Sequence, residues 1–263
     1  MSHFQSPVPG SSLPVVTLTT DFGLRDFYVS AMKAVLIRHS PQVRLIDITH
    51  EVPRHDILFG SITLERALAS FDPGTIHLAV IDPGVGTSRR ILIVKIHGQI
   101  VVCPDNGLIT WAWRRLGAGQ VHELTWKPAV SSSTFHGRDI MAPVAGLLAA
   151  GAAIAELARP IDDPILLDIH VATAAHRKVS IIHIDQFGNA TTNLPAEELV
   201  KLPGVKFSVR GHLLGPCGHS YSDVKPGEPL ALIGSSGLLE IAVREGSASR
   251  QFDLHTGDTV ELT

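Results

Sequence analysis

Residues 81–90 read IDPGVGTSRR: a carboxylate, Asp82, closes an apolar run and is followed by a proline, two glycines and two arginines. Three kinds of chemistry use such a stretch. Glycine-rich backbone can cradle a phosphate, an Asp–Arg pair can clamp a tight turn, and a carboxylate facing a guanidinium can flank a reacting group. The phosphate reading lacks GxxxxGK[ST], and GxG without a third glycine opening a helix is a weak dinucleotide signal. G-x-S-x-G, the setting of a serine nucleophile, is absent. Other polar residues also follow apolar runs: Asp21 after PVVTLTT (14–20), Asp105-Asn106 after QIVVCP (99–104), and the stretch SSSTFHGRDI (131–140). One such aspartate is most often a turn or cap residue. Four clusters at strand ends, where ligands gather in open α/β sheets, point to a site. His50, His55, Asp56, His136 and Asp139 are metal-ligand types, so a metal-dependent hydrolase stands as an alternative, although HxH, HExxH and CxxC pairings are absent.

Two later stretches, IDQFGNATTN (184–193) and LIGSSGLLEIAV (232–243), read from spacing alone as tight turns between strands. Their residue types also suit binding. An Asn amide can read a purine edge, an Asp can hold an ammonium, and serines with exposed amides can hold a carboxylate.

The elements that must position these groups alternate over the first two-thirds of the chain. PVVTLTT (14–20), VRLIDIT (43–49), TIHLAVID (75–82), ILIVKI (91–96) and QIVVCPD (99–105) are strand-like. FYVSAMKAVLIRH (27–39), HDILFGSITLERALASF (55–71) and GLITWAWRRLG (107–117) have helical spacing, the last with basic residues before a closing glycine. This alternation predicts an α/β domain: a mostly parallel sheet with helices on both faces. From about residue 170 the pattern becomes short strands split by Gly, Pro, Asn and Ser, which predicts a smaller all-β, barrel-like or sandwich domain. The expected organisation is a flexible leader over 1–13, the α/β domain over 14–168, a linker over 169–177 and the β domain over 178–263.

With 263 residues, 44% of them hydrophobic and 18% charged, the chain has the composition of a globular protein with a substantial core. A net charge of −3 gives no electrostatic reason to expect nucleic acid as a partner. The uncharged stretch IMAPVAGLLAAGAAIA (140–155) is short for a membrane span and reads as a buried helix. The leader lacks the basic start and apolar run of a signal peptide, and two distant cysteines read as reduced thiols, so a cytoplasmic location is expected.

Together these blocks resemble the S-adenosylmethionine (SAM) hydroxide adenosyltransferases, the adenosine-forming SAM hydrolases, which are related to the SAM-dependent fluorinase and chlorinase. The matching stretches are TLTTDFGLRDFYVSAMKAVL (17–36), HEVPRHDILFG (50–60), VIDPGVGTSRR (80–90), PDNGLIT (104–110), STFHGRDIMAPVA (133–145), IDQFGNATTN (184–193) and GSSGLLEIAV (234–243). The resemblance implies hydrolysis of SAM at C5′ to adenosine and L-methionine, with no metal and no cofactor. It implies a homotrimer whose substrate lies between the first domain of one subunit and the second domain of its neighbour. It assigns the catalytic set to Asp82, Arg89 and His136, with His136 either orienting the water or relaying its proton. It assigns the ribose diol to Asp21, the methionine ammonium to Asp185, the adenine edge to Asn189 and the methionine carboxylate to Ser235. A non-catalytic SAM- or adenosine-binding protein is a further alternative.

Overall fold

A computed structural model describes residues 13–263, so the leader expected over 1–13 lies outside the described residues apart from Leu13. The chain divides into two compact units, the first ending at Leu167 and the second spanning Asp168–Thr263.

The first unit is built on a seven-stranded sheet of order β2-β1-β3-β5-β4-β6-β7. Its strands are β1 (Val15–Thr20), β2 (Arg44–Thr49), β3 (Ile76–Val80), β4 (Ile91–Ile96), β5 (Gln99–Pro104), β6 (Gln120–Leu124) and β7 (Ala158–Ile161). The β2-β1-β3-β5 half is parallel: helical crossovers join β1 to β2 and β2 to β3, and between β3 and β5 the chain reverses twice, through β4. β4 and β5 are instead joined by the two-residue turn His97-Gly98 and must run antiparallel, as do β6 and β7 beyond them. The sheet is therefore mixed, and the chemistry-bearing strand ends fall in its parallel half.

Helices cover both faces, and alternation along the strands decides which. Leu78, Val80, Ile91 and Ile93 point to one face and pack with Met32 and Leu36 of α1 (Tyr28–His39). Ala79, Ile81, Leu92 and Val94 point to the other and pack with Leu64 and Leu68 of α2 (Ile57–Ser70) and Ala112 of α3 (Thr110–Leu116). The apolar stretch 140–155 does supply a buried helix, α4 (Ala142–Ala149), under the first face. It is shorter than expected: the chain leaves the helix at Gly151, whose φ of 98° is in the left-handed region. Among the described residues no helix is long and apolar enough to cross a membrane.

The second unit is an eight-stranded sheet that curls into a nearly closed, barrel-like form, in the order β11-β10-β15-β8-β9-β14-β13-β12. The strands are β8 (Val179–Ile184), β9 (Ala190–Pro195), β10 (Phe207–Val209), β11 (His212–Gly215), β12 (Cys217–Gly218), β13 (Pro229–Ile233), β14 (Leu238–Val243) and β15 (Thr259–Leu262). The segment expected as a linker packs into this unit. Ala172 is fully buried in its core, and the Ala172 N–H donates to the Asn193 carbonyl.

Inside the first unit a buried chain of hydrogen bonds ties three strands and a helix. Thr17 Oγ1 lies 2.8 Å from His77 Nδ1, His77 Nε2 lies 2.6 Å from Gln99 Oε1, and the Gln99 amide donates to the Leu68 carbonyl. Gln99 accepts, so the neutral imidazole carries its proton on Nε2 and takes the Thr17 hydroxyl at Nδ1. Burial holds His77 below the usual imidazole range, against a smaller opposing effect of Gln99. The unfolded chain therefore takes up the proton first, and this share of stability, complete above about 6.5, is lost as pH falls below it. We expect His77→Gln to lower stability at neutral pH while flattening the fall between roughly pH 6.5 and 5, measured by urea unfolding across that range.

Candidate active site

Asp82 lies just beyond β3, and the loop it opens returns at Arg89 to begin β4. Arg89 folds back onto Asp82. Its Nε donates at 2.9 and 3.0 Å to the two carboxylate oxygens, and Nη2 also donates to Asp82 Oδ2. Arg89 Nη2 reaches His136 Nδ1 as well, at 3.0 Å. The pair is not a surface clamp: the side chains are 10% and 4% exposed. Asp82, Arg89 and His136, predicted from two separate motifs, are thus one connected group.

Glycines permit this closure. A Cβ on Gly84 would stand 3.3 Å from Cγ of Arg89, so the arginine's stem lies over bare backbone. Gly86 has a φ of 81°, and a Cβ there would meet the Ser133 carbonyl oxygen at 2.5 Å. That second contact joins the Asp82 loop to the loop that carries His136.

His136 precedes a single π-helical turn, Gly137–Met141. Its Nδ1 accepts from a guanidinium that never gives up its charge, so the ring is neutral with its proton on Nε2. Burial, and then the Arg89 cation, hold its pKa below the usual imidazole range. Asp139 binds Arg138 through both oxygens and accepts the Ser132 N–H at 2.7 Å, chiefly the former keeping its carboxyl below the usual range. It shapes the loop.

Asp82 and His136 open onto a cleft of about 390 Å³ walled by Phe22, Tyr28, Phe135 and Val80. The three aromatic rings touch one another, with centroids 5.1 to 5.9 Å apart. Periodicity marks the Phe27-Tyr28 doublet only as the start of a helix. Its exposure, 62% and 39%, is what such a doublet at a helix N-terminus could have signalled. Asp21 is not on the cleft wall, although its neighbour Phe22 is. Its Oδ2 accepts the His55 N–H at 3.0 Å.

The other candidates have structural employment. Asp105 is buried, bound to Arg90 and to the Ile165 N–H, while Asn106 links the Ile81 carbonyl and the Leu108 N–H. Asp56 caps α2 through the Phe59 N–H, and His50 sits against Thr20. His50, His55, Asp56, His136 and Asp139 do not converge, and among the described residues no group of three or more His, Cys, Asp or Glu is placed to hold a metal ion.

The second unit has its own open cavity, of about 930 Å³, lined by Asp185, Asn189, Tyr221, Ser247 and Arg250 among others. Asp185 does organise a turn, accepting from the Phe187 and Asn189 N–H groups and from the Asn189 amide. Turn and cavity wall are the same residues here, so the two readings of this stretch coexist. Ser235 does not line the cavity. Its neighbour Gly234 sits over Glu240, whose carboxylate accepts the Tyr221 hydroxyl at 2.7 Å. No motif marked Tyr221 in the sequence.

Comparison with known proteins gives a consistent result. The family model described as the SAM hydroxide adenosyltransferase N-terminal domain matches residues 16–158, and its C-terminal-domain counterpart matches 179–261. Proteins named (R)-S-adenosyl-L-methionine hydrolase from Salinispora tropica and Thermus thermophilus are 36% and 34% identical. Those alignments cover 95% and 94% of this chain, and 98% of each relative. A fluorinase from an Actinoplanes species is 25% identical over 97% of this chain and 99% of its own. The crystal structure of an uncharacterized conserved protein from Thermotoga maritima superimposes with a TM-score of 0.87 at 34% identity, covering 95% of this chain and all of that one.

Glycine's part in assembling the group is testable by thermal denaturation. Gly86→Ala, with a positive φ and a backbone oxygen in the way, should cost more than about 1 kcal/mol and lower the midpoint by several degrees. Gly84→Ala meets only a movable side-chain carbon and should cost less.

Proposed function

The chain belongs to the SAM hydroxide adenosyltransferase family, and from that premise we propose that it hydrolyses SAM at C5′, giving adenosine and L-methionine. The observation that carries this reading is the Arg89 guanidinium joining Asp82 to His136 at the mouth of an aromatic-walled cleft.

The sulfonium substrate needs no acid catalyst, because sulfur leaves as a neutral thioether. What it needs is one water held in line with the C5′–S bond, and positioning of that kind is worth ~7–11 kcal/mol in favourable cases. Asp82 has about four lone-pair sites, of which Arg89 occupies three, so it retains acceptor capacity for a water. Arg89 supplies fixed positive charge next to the oxygen that gains hydroxide character. His136 presents Nε2–H as a donor, which suits orienting the water better than taking its proton. The rings of Phe22, Tyr28 and Phe135 exclude bulk water, and, since Arg138 already lies 5.0 Å over the Phe135 ring, Phe22 and Tyr28 are the ones that offer π-faces to a cation. The displacement inverts configuration at C5′.

Asp21 takes the ribose diol, Asp185 the methionine ammonium, Asn189 the adenine edge and Ser235 the methionine carboxylate. Asp82 and His136 line the cleft of the first unit, and Asp185 and Asn189 line the cavity of the second. That supports a homotrimer in which the first unit of one subunit meets the second unit of a neighbour at the substrate. No metal and no cofactor takes part. The enzyme works in the cytoplasm, a reading supported by two free thiols.

Incubation with SAM in ¹⁸O-labelled water should yield adenosine carrying the label in its 5′-hydroxyl, detected by chromatography and mass spectrometry. Both sulfonium epimers belong in the assay, since the relatives are named for the (R) form. Methylthioadenosine with homoserine lactone, or binding without product, overturns the proposal. A chelated sample should keep its rate; loss restored by a divalent cation would return the metal-dependent reading.

Asp82→Asn, which keeps shape and an acceptor for Arg89, and Arg89→Ala should each lower kcat roughly a hundred- to ten-thousand-fold with ligand binding retained. Turnover per folded molecule that survives both changes would make the pair a loop clamp only. Sedimentation measures the trimer.

A further inference from the structure

The buried imidazole of His50 joins two loops at the end of the parallel half-sheet, and the reading above leaves it without a role. On one side its Nδ1 lies 2.9 Å from the Thr20 hydroxyl. On the other its Nε2 lies 3.1 Å from Asp47 Oδ1, off the line of a straight hydrogen bond, and Asp47 Oδ2 accepts from Lys33 Nζ at 2.6 Å. The arrangement closes when Thr20 donates to Nδ1 and the Nε2–H faces Asp47. Aspartate, histidine and hydroxyl in this order resemble a nucleophile relay, but Thr20 is fully buried and faces no cleft. The row does something else.

Thr20 is the last residue of β1, and Asp21 follows it. With its proton directed to His50, the Thr20 oxygen faces the Phe22 N–H, 3.3 Å away. His50 holds the same turn through its backbone as well, its carbonyl accepting the Gly23 N–H at 2.7 Å. The Val52 N–H donates back to the Thr20 carbonyl at 3.3 Å. At the far end of this second loop His55, in the left-handed region at φ 64°, turns its N–H onto Asp21 Oδ2. Loop 50–55 therefore grips loop 20–23 at both ends. Asp21 is held between the anchored backbones of Thr20 and Gly23 and through one oxygen of its own carboxylate.

We propose that His50 is the positioning residue for Asp21: clamped between Asp47 and Thr20, it fixes the Thr20–Gly23 turn so that the free oxygen of Asp21 meets the substrate's ribose diol. This rests on the assignment of Asp21 to the diol. It adds Thr20, His50 and Asp47 as the row that sets where that carboxylate stands. A rigid acceptor gains more from a diol than a mobile one, because the ordering cost is met on folding and not on binding.

The test compares kcat/KM for SAM with that for its 2′,3′-dideoxy analogue. A purely structural role would lower both values and leave their ratio alone. Asp21→Ala should collapse the ratio by roughly ten- to a hundredfold, the size of a charge-assisted hydrogen-bond pair. His50→Asn and Thr20→Val should each lower the ratio in the same direction, mainly through KM for SAM. Neither should lower it further when combined with Asp21→Ala. Thr20→Ser keeps the hydroxyl and should restore the wild-type ratio. If His50→Asn and Thr20→Val keep that ratio while Asp21→Ala destroys it, the positioning role is wrong and the diol assignment stands. If Asp21→Ala itself leaves the ratio unchanged, the assignment and the inference fall together.

Discussion

One guanidinium ties together the residues of the candidate active site. Arg89 donates to both oxygens of Asp82 and to Nδ1 of His136, and these three residues come from two loops with no other polar side-chain link among them. An arginine can do this where a lysine cannot, because its donors are fixed in a plane and its charge is permanent. The imidazole becomes an acceptor on one side and a donor on the other, and the carboxylate is held by more than one bond. Nearly everything around the loop serves that convergence. The turn after Asp82 brings the chain back within reach, Gly84 leaves room for the arginine stem, and Gly86 lets the Ser133 backbone come close.

The next residue shows how little the strand must do to separate two tasks. Arg90 follows Arg89 at the start of an extended segment, so the two side chains leave opposite sides of the chain. Arg90 reaches Asp105 and Asp163, tying the segment that ends the first unit to the end of the central strand β5. Asp105 is fully buried at its side chain, and removing Arg90 would strand its charge in the interior, whereas Arg90 itself is a quarter exposed and also pairs with Asp163. Both arginines bind carboxylates. The Asp82 pair opens onto the aromatic-walled cleft.

That distinction marks the limit of what the sequence discloses. Strand and helix periodicities were legible because burial on two faces writes them plainly, as in Leu78 and Val80 against Ala79 and Ile81. The antiparallel turn of β4 and β5 was less so, since a fully buried strand carries the same apolar run whichever way it points. β9 was hidden inside ATTNLP, whose Thr and Asn look like turn residues but are buried in the sheet. In the candidate site, the family resemblance assigned Asp82, Arg89 and His136, which the structure brings together, while the motifs read by residue type and spacing gave only strand-end clusters. They could not separate Asp82 from Asp105, which ends its strand with the same residue type. They also passed over Tyr221 and the aromatic cleft wall, because apolar contact has no fixed spacing.

The pairing of Asp82 with Arg89 raises an objection to the proposed chemistry, since a proton acceptor already bound to a cation looks badly chosen. The objection assumes that water must be deprotonated before it attacks. Attack on the sulfonium carbon acidifies the water as the C5′–O bond forms, so its proton passes to the carboxylate in concert with bond formation and no hydroxide need be made beforehand. The demand on Asp82 is then one of place and not of basicity: an acceptor within reach, aimed along a fixed line. A guanidinium that grips both oxygens fixes that line better than a free carboxylate could, and its charge favours the partly formed hydroxide on the way. In the proposed reaction the clamp and the catalyst are accordingly the same object. The feature that argues for a merely structural pair is what makes these two residues able to hold one water.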